Sequence, residues 1–255
     1  MSVFELTILG PALAAGLLVL STHVALGQEV LRRGIIFIDL AIAQVAGLGV
    51  IAADSMGWEP HGWRVQAAAM GAALSVAVIL NWTGKHWHDV QEALIGAAFV
   101  LAAAAGILIL AGNPHGGEHL KELLVGQILW VTWEQLAVVG VLYALCLAVW
   151  LVFPRHMRGF GFYAVFSVVV TASVQLVGVY LVFASLIVPA LATRHIQEGR
   201  RRYGWGYLIG AAGYLAGLAA SMRWDLPPGA VIAWGLAVFA VAFSWLAPPA
   251  IKGRT

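Results

Sequence analysis

Charged residues are scarce in this chain, and their scarcity excludes most classes of soluble protein. Only 10% of its 255 residues are Asp, Glu, Lys or Arg, whereas a soluble domain carries about 25%. Apolar runs of about 18 or more residues recur instead, each long enough to cross a hydrocarbon core of about 30 Å. In lipid the backbone polar groups must be satisfied within a helix or a closed barrel, and these runs do not alternate as barrel strands do. The sequence therefore predicts an all-α, polytopic membrane protein.

Other features are missing as well, and each absence narrows the function. Cys146 is the only cysteine, so an internal disulfide is excluded and this residue is interpreted as a small packing residue. The chain has no Gly-x-x-x-x-Gly-Lys-Ser/Thr loop and therefore no visible means of binding ATP. Its net charge of +2, with the basic residues in short loops, gives no nucleic-acid footprint. The N-terminus lacks a basic start and a cleavage site, so the first apolar run is interpreted as a retained span.

The apolar segments predict about nine spans within a single transmembrane domain covering residues 1–255. The predicted spans are residues 4–26, 34–56, 64–82, 90–112, 134–153, 161–177, 180–194, 206–222 and 229–247. The stretch from Gly161 to Thr193 would be about 50 Å long as one helix, which is too long for one tilted span. Glycine lets the backbone turn sharply, so we predict a break at Gly178 that gives two short helices. An unbroken stretch, and so eight spans, is the alternative.

The positions of the basic residues favour nine spans, because cytoplasmic loops carry an excess of Lys and Arg. With an external N-terminus and a cytoplasmic C-terminus, only Arg64, Lys121 and Arg223 fall outside. The basic residues that fall inside are Arg32, Arg33, Lys85, Arg155, Arg158, Arg194, Arg200, Arg201, Arg202, Lys252 and Arg254. Eight spans would put one of the arginine-rich loops on the wrong side.

Asp39 is the clearest functional candidate, because a charged group inside a span is costly and is by default functional. Gln44 follows five residues later, about 140° around the helix, so the two share a broad inner surface without stacking. The alternative is that Asp39, near the inner end of its span, snorkels to the interface or pairs with Arg32 or Arg33.

Histidines supply a second group of candidates. The predicted outer loop contains His115, Glu118 and His119, ligand types that suit zinc, manganese or iron. The flexible glycines between the two histidines would let them reach one ion, although a solvated loop can also carry histidines without any role. His23, near the inner end of the first span, is either a satisfied packing residue or a pathway residue, and we favour packing.

The most basic segment of the chain follows Pro189 and is predicted to face the cytoplasm. Proline can kink a helix, and we expect it to redirect Ala190 to Gln197 into a short exposed helix that a soluble partner can grip. The alternative is a plain topogenic anchor.

Several segments together resemble the permease family of zinc, manganese and iron ABC importers, and the resemblance spans most of the chain. The matching segments are Leu26-Gly27 through Arg32-Arg33, Glu92 to Gly96, His119 to Gly126 with Val131 to Glu134, Val177 to Val182 with Leu186 to Ala190, and Asp225 to Gly229. Their shared order and spacing are more specific than any one of them.

The resemblance implies a permease of the cell (inner) membrane rather than an enzyme. The transported ion is expected to be Zn²⁺, with Mn²⁺ or Fe²⁺ as alternatives, and the chain is expected to need no cofactor. ATP would be bound by cytoplasmic ABC ATPase subunits, an external metal-binding protein would deliver the ion, and a second copy would complete a homodimer, with a paired permease chain as the alternative. The expected ATPase-coupling residues are Pro189, Ala190, Thr193, Arg194 and His195.

The sequence departs from this family at one important place. The family usually has an Asp-x-x-x-His pair on its second span, and aligning Gly47-Leu48-Gly49 puts Leu40 and Gln44 at those positions. The carboxylate has moved to Asp39 and the histidine is absent, which leaves the identity of the metal open. The expected pathway residues are therefore Asp39, Gln44, His115, Glu118 and His119.

Two other classes of function are weighed against the permease. An ion-coupled secondary transporter needs several charged groups near the bilayer midplane and often has paired repeats. An intramembrane enzyme needs a nucleophile with its base, or a metal cluster, inside the spans. The sequence shows neither pattern.

Overall fold

The structure is a computed structural model, and it describes residues 3–59, 62–111, 113, 117, 121, 124–197 and 199–246. Within these residues the chain has no strand, and nine α-helices are described from their first residue to their last. They are α1 (Val3–Arg33), α2 (Ile38–Ser55), α3 (Trp63–His86), α4 (Gln91–Leu110), α5 (Trp133–Val152), α6 (Phe160–Val177), α7 (Val179–Ala192), α8 (Arg200–Trp224) and α9 (Pro228–Leu246). The predicted all-α membrane bundle is confirmed.

The helix bounds lie close to the predicted spans, except that α1, α3 and α8 extend further at their basic ends. Helix α1 continues to Arg33, because Glu29 accepts hydrogen bonds from Arg32 at 2.7 Å and from Arg33 at 2.6 Å. Ion pairs three and four residues apart stabilise a helix. Counting apolar residues alone misses such turns, since they continue the helix beyond its apolar part.

Among the described residues, seven helices are long and apolar enough to cross a membrane. The other two are α7, with 14 residues, and α8, whose many glycines and aromatic residues lower its mean hydropathy. The number of spans and the orientation of the termini therefore stay predictions.

The chain divides into two compact units, and the first contains Met1–Arg33, Ile128–Leu136 and Tyr180–Thr255. Its helices approach closely at glycines, as expected for helices packed in lipid. A Cβ built at Gly27 would lie 2.9 Å from the Leu186 carbonyl carbon, and one built at Gly217 would lie 2.9 Å from the Ile232 nitrogen. This unit therefore brings α1 against α7, and α8 against α9.

The second unit contains Gly34–Gln127 and Ala137–Val179. Helix α2 packs against α3, α4 and α6, and a Cβ at Gly49 would lie 2.9 Å from the Ala68 carbonyl oxygen. Helix α5 is joined to α6 by a hydrogen bond between Tyr143 and Ser173. That residues 1–255 form a single permease domain stays a prediction.

Candidate functional site

Asp39 lies in the first turn of α2 and is only 1% exposed. Neither of its carboxylate oxygens has a hydrogen-bond partner among the described residues, although the backbone N–H groups of Asp39 and Leu40 lie close to them. The snorkelling alternative is wrong, because the side chain does not reach solvent. A buried carboxylate is normally paired or coordinates a metal, so an unpartnered one inside a membrane bundle is the strongest indication of a site in this unit.

Gln44 lines a small cavity within the same unit. The cavity is lined by Ala43, Gln44, Gly47, Leu48, Ile51, Ala102, Ala103, Gly106, Leu124, Val174 and Val179, and it has about 10 Å³ of free space. That is roughly the space of one water molecule. Gln44 supplies the polar side chain in an otherwise apolar lining, so the cavity is a narrow opening between helices and not a preformed metal cage.

Asp39 does not line this cavity, but it lies on the helix face that does. Residues four apart stack on one face of a helix, so Asp39, Ala43 and Gly47 form a single stripe. Ala43 and Gly47 both line the cavity. The carboxylate therefore lies one turn below the cavity, on the side where α2 begins.

Hydrogen bonds show that α2, α4 and α6 begin at the same end of this unit. The Ile36 N–H, just before α2, donates to Glu92 Oε1 at 2.7 Å at the start of α4. Gln91 Nε2 donates to the Tyr163 hydroxyl at 3.0 Å at the start of α6. Gln91 and Tyr163 were not predicted as functional residues. The only sign of them in the sequence is that each is a polar residue close to a predicted helix start.

The backbone break at Gly178 is covered by a second glycine. Gly178 has φ 81° and ψ 163°, a combination essentially restricted to glycine, and it separates α6 from α7 where the sequence places the break. A Cβ at Gly178 would lie 2.6 Å from the Gly126 Cα, and Gly126 itself has φ 73°. Exposed non-helical backbone is not tolerated in lipid, so the segment at Gly126 supplies the cover that the break requires.

The segment after Pro189 differs from the prediction. Pro189 lies inside α7, which continues to Ala192, so the short exposed helix predicted for Ala190 to Gln197 is wrong. The helix continues because Ala190 is buried and Ala192 packs with Ile209 and Ala240.

The end of α7 leaves two of the predicted coupling residues exposed. Thr193 is buried, and its hydroxyl donates to the Pro189 carbonyl at 2.8 Å. Arg194 and His195 are exposed in the turn that follows. Docking of an ATPase on these residues stays a prediction.

The predicted histidine site cannot be placed. His115, Glu118 and His119 lie outside the described residues. Within the described part of the chain, no group of three or more His, Cys, Asp or Glu side chains could hold a metal ion. His23 is fully buried, and its Nδ1 lies 2.9 Å from the Val19 carbonyl oxygen, whereas its Nε2 has no hydrogen-bond partner among the described residues. Its role in packing stays a prediction.

Comparison with known proteins decides the family. The model of the ABC 3 transport family matches residues 5–162 and 154–247. The chain belongs to the ABC 3 transport family. This confirms the predicted family of metal ABC permeases and the multi-pass location in the cell membrane. Members of the family are membrane permeases, not enzymes, and work with separate ATPase and substrate-binding proteins.

Individual relatives agree with this assignment. The chain is 25% identical to the manganese transport system membrane protein MntC of Halalkalibacterium halodurans, over 91% of this chain and 85% of that protein. It is 23% identical to the uncharacterized membrane protein slr2045 of Synechocystis, over 87% of this chain and 84% of that one. Its fold is similar to the structure of PsaBC from Streptococcus pneumoniae in complex with Fab, with a TM-score of 0.75 and 21% identity, over 94% of this chain and 92% of that one.

Proposed function

We propose that this ABC 3 family member moves a divalent metal ion inward, by alternating access, when separate ATPase subunits hydrolyse ATP. The observation that carries the proposal is the Asp39 carboxylate, which is buried in a membrane bundle without a hydrogen-bond partner among the described residues. A cation that passes along α2 would supply the missing partner. Gln44, which lines the cavity one turn further on, is the second pathway residue.

Manganese is the ion that Asp39 and Gln44 favour. Asp39 and Gln44 offer only oxygen ligands to a cation, and such ligands suit Mn²⁺, whereas zinc sites usually include imidazole or thiolate. The relative from Halalkalibacterium halodurans is a manganese transport protein by name. We therefore place Mn²⁺ before Zn²⁺ and Fe²⁺, which reverses the order expected from the sequence.

The partners follow from the family and from the exposed end of α7. Arg194 and His195 are exposed directly after that helix, and they form the surface on which we place the ATPase. An external metal-binding protein would deliver the ion, and His115, Glu118 and His119 are proposed to receive it. A second copy of the chain is proposed to complete the permease as a homodimer.

Reconstitution with the partner proteins tests this function. Proteoliposomes that contain the permease, its ATPase and its binding protein should take up Mn²⁺ only when ATP is present on the ATPase side. The Mn²⁺-loaded binding protein should also stimulate ATP hydrolysis, whereas the empty one should do so less. Uptake without ATP, driven by an ion gradient, would instead support a secondary transporter.

A further inference from the structure

Two buried hydroxyl groups on α6 differ from the other hydroxyl groups on the described helices. Ser167 and Thr171 are 0% and 1% exposed, and neither hydroxyl oxygen has a hydrogen-bond partner among the described residues. Serine and threonine in membrane helices usually donate to a carbonyl of the preceding turn. The same helix offers this bond, since Ser173 donates to the Val169 carbonyl at 2.6 Å.

Most of the other hydroxyl groups on the described helices make such bonds. The donors, each bonded to a carbonyl three or four residues earlier, are Ser21, Thr22, Ser55, Ser75, Thr83, Ser185, Thr193 and Ser244. A hydroxyl group that is buried without a partner costs free energy. The absence of this bond at both Ser167 and Thr171 therefore indicates that these hydroxyl groups have another use.

Ser167 and Thr171 lie on the face of α6 that leads to the Gln44 cavity. Residues at i, i+4 and i+7 share one helix face, so these two residues form a stripe with Val174. Val174 lines the cavity together with Ala43 and Gly47 of α2. The stripe on α6 and the Asp39 stripe on α2 therefore meet at the cavity.

The two stripes also cover the same depth in the unit. Helices α2 and α6 begin at the same end, and a helix rises about 1.5 Å per residue. Asp39 lies about 6 Å before Ala43, while Thr171 and Ser167 lie about 4.5 and 10.5 Å before Val174. Along the helix axes, the depth of Asp39 therefore falls between the depths of Thr171 and Ser167.

We propose that the Asp39 carboxylate and the hydroxyl groups of Ser167 and Thr171 form an all-oxygen transit site for a hard divalent cation, one to two turns inward of the Gln44 cavity. This proposal rests on the proposed function and adds ligands from a second helix. One charged and two neutral oxygen ligands hold a cation less tightly than a cage of carboxylates. Weak binding is what a transit site requires, because the ion must leave again.

The test uses the double variant Ser167→Ala with Thr171→Val, which removes both hydroxyl groups and changes volume little. Mn²⁺ binding to the purified permease–ATPase complex is measured by electron paramagnetic resonance, and Mn²⁺ uptake is measured in proteoliposomes. We expect binding to weaken by about tenfold or more, with a higher KM for uptake. Thr171→Ser alone should keep both near the wild-type values.

Ser173→Ala is the matched control, because it removes a buried hydroxyl from the same helix whose partners are known. It should leave Mn²⁺ binding unchanged even if it lowers stability, which thermal unfolding of each variant records. Unchanged Mn²⁺ binding in the folded double variant would overturn the proposed site. Absence of ATP-dependent uptake by the wild type would overturn the proposed function. In that case the difference in Mn²⁺ binding between the wild type and the double variant would still test the proposed site.

Discussion

Replacement of Asp39 by Asn is expected to lower ATP-driven Mn²⁺ uptake by about 10- to 100-fold, the range found when a metal site loses a supporting group. The substitution keeps the shape of the side chain and removes its charge, so a cation in the pathway loses its anionic ligand. Folding should not suffer. Both carboxylate oxygens lack hydrogen-bond partners among the described residues, and burying an unpaired charge costs free energy, so removing that charge should not lower stability. Uptake and thermal unfolding are measured on the same preparation.

Asp89→Asn is the control for Asp39→Asn. Asp89 is exposed between α3 and α4, so its substitution makes the same change of charge outside the bundle. It should leave uptake near the wild-type rate. Wild-type uptake by Asp39→Asn would remove Asp39 from the pathway, while a large loss of folded protein would assign it a structural role instead.

Replacement of Gly178 by Ala is expected to destabilise the permease by about 2 to 6 kcal/mol, from backbone strain together with overpacking. An alanine would have to adopt a backbone conformation that favours glycine, and its Cβ would lie 2.6 Å from both the Gly126 Cα and the Val125 carbonyl carbon. Neither atom belongs to a side chain that could rotate away. The free energy of unfolding in detergent micelles measures this effect, and the yield of folded protein should fall with it.

Substitutions at two other glycines distinguish the effect of backbone strain from the effect of steric overlap. Gly34 has φ 69° but open space around its Cβ position, so Gly34→Ala should cost only about 1 to 2 kcal/mol. Gly96 lies within α4, also with open space, and Gly96→Ala should stabilise the helix by about 0.5 to 1 kcal/mol. If Gly178→Ala were as stable as Gly96→Ala, the helix break would not depend on the packing of Gly178 against Gly126.

Most of the helices could be predicted from the sequence, because long apolar runs leave a membrane chain few alternatives. The break at Gly178 could also be predicted, since the stretch around it is too long for one span. Its cover by Gly126 could not, because two glycines more than 50 residues apart have no local pattern that connects them. Only the tertiary packing brings them together.

The candidate site was predicted less completely than the fold. Asp39 stands out in the sequence because a charge within an apolar run is rare. Ser167 and Thr171 do not, since hydroxyl groups are common in membrane helices and usually bond to their own backbone.

The short helix predicted for Ala190 to Gln197 was wrong because tertiary packing overrides a local preference. Proline weakens a helix, but the packing of Ala190 and Ala192 outweighs that preference.

The proposed coupling to a cytoplasmic ATPase depends on the orientation of the chain in the membrane. An ATPase can drive the permease through the end of α7 only if Arg194 and the arginines at the start of α8 lie in the cytoplasm. Arg201 and Arg223 are exposed residues near opposite ends of α8, a helix of 25 residues and so about 37 Å long. If α8 spans the membrane, these two positions lie on opposite sides.

The most direct measurement is therefore labelling of single cysteines at these two positions with a membrane-impermeant maleimide. The background is Cys146→Ala, which removes the only native cysteine. Arg201→Cys should react only in inside-out vesicles or permeabilised cells, and Arg223→Cys should react in intact cells. Reaction of Arg201→Cys from outside intact cells would place the arginine-rich segment on the exterior and contradict the proposed drive by a cytoplasmic ATPase.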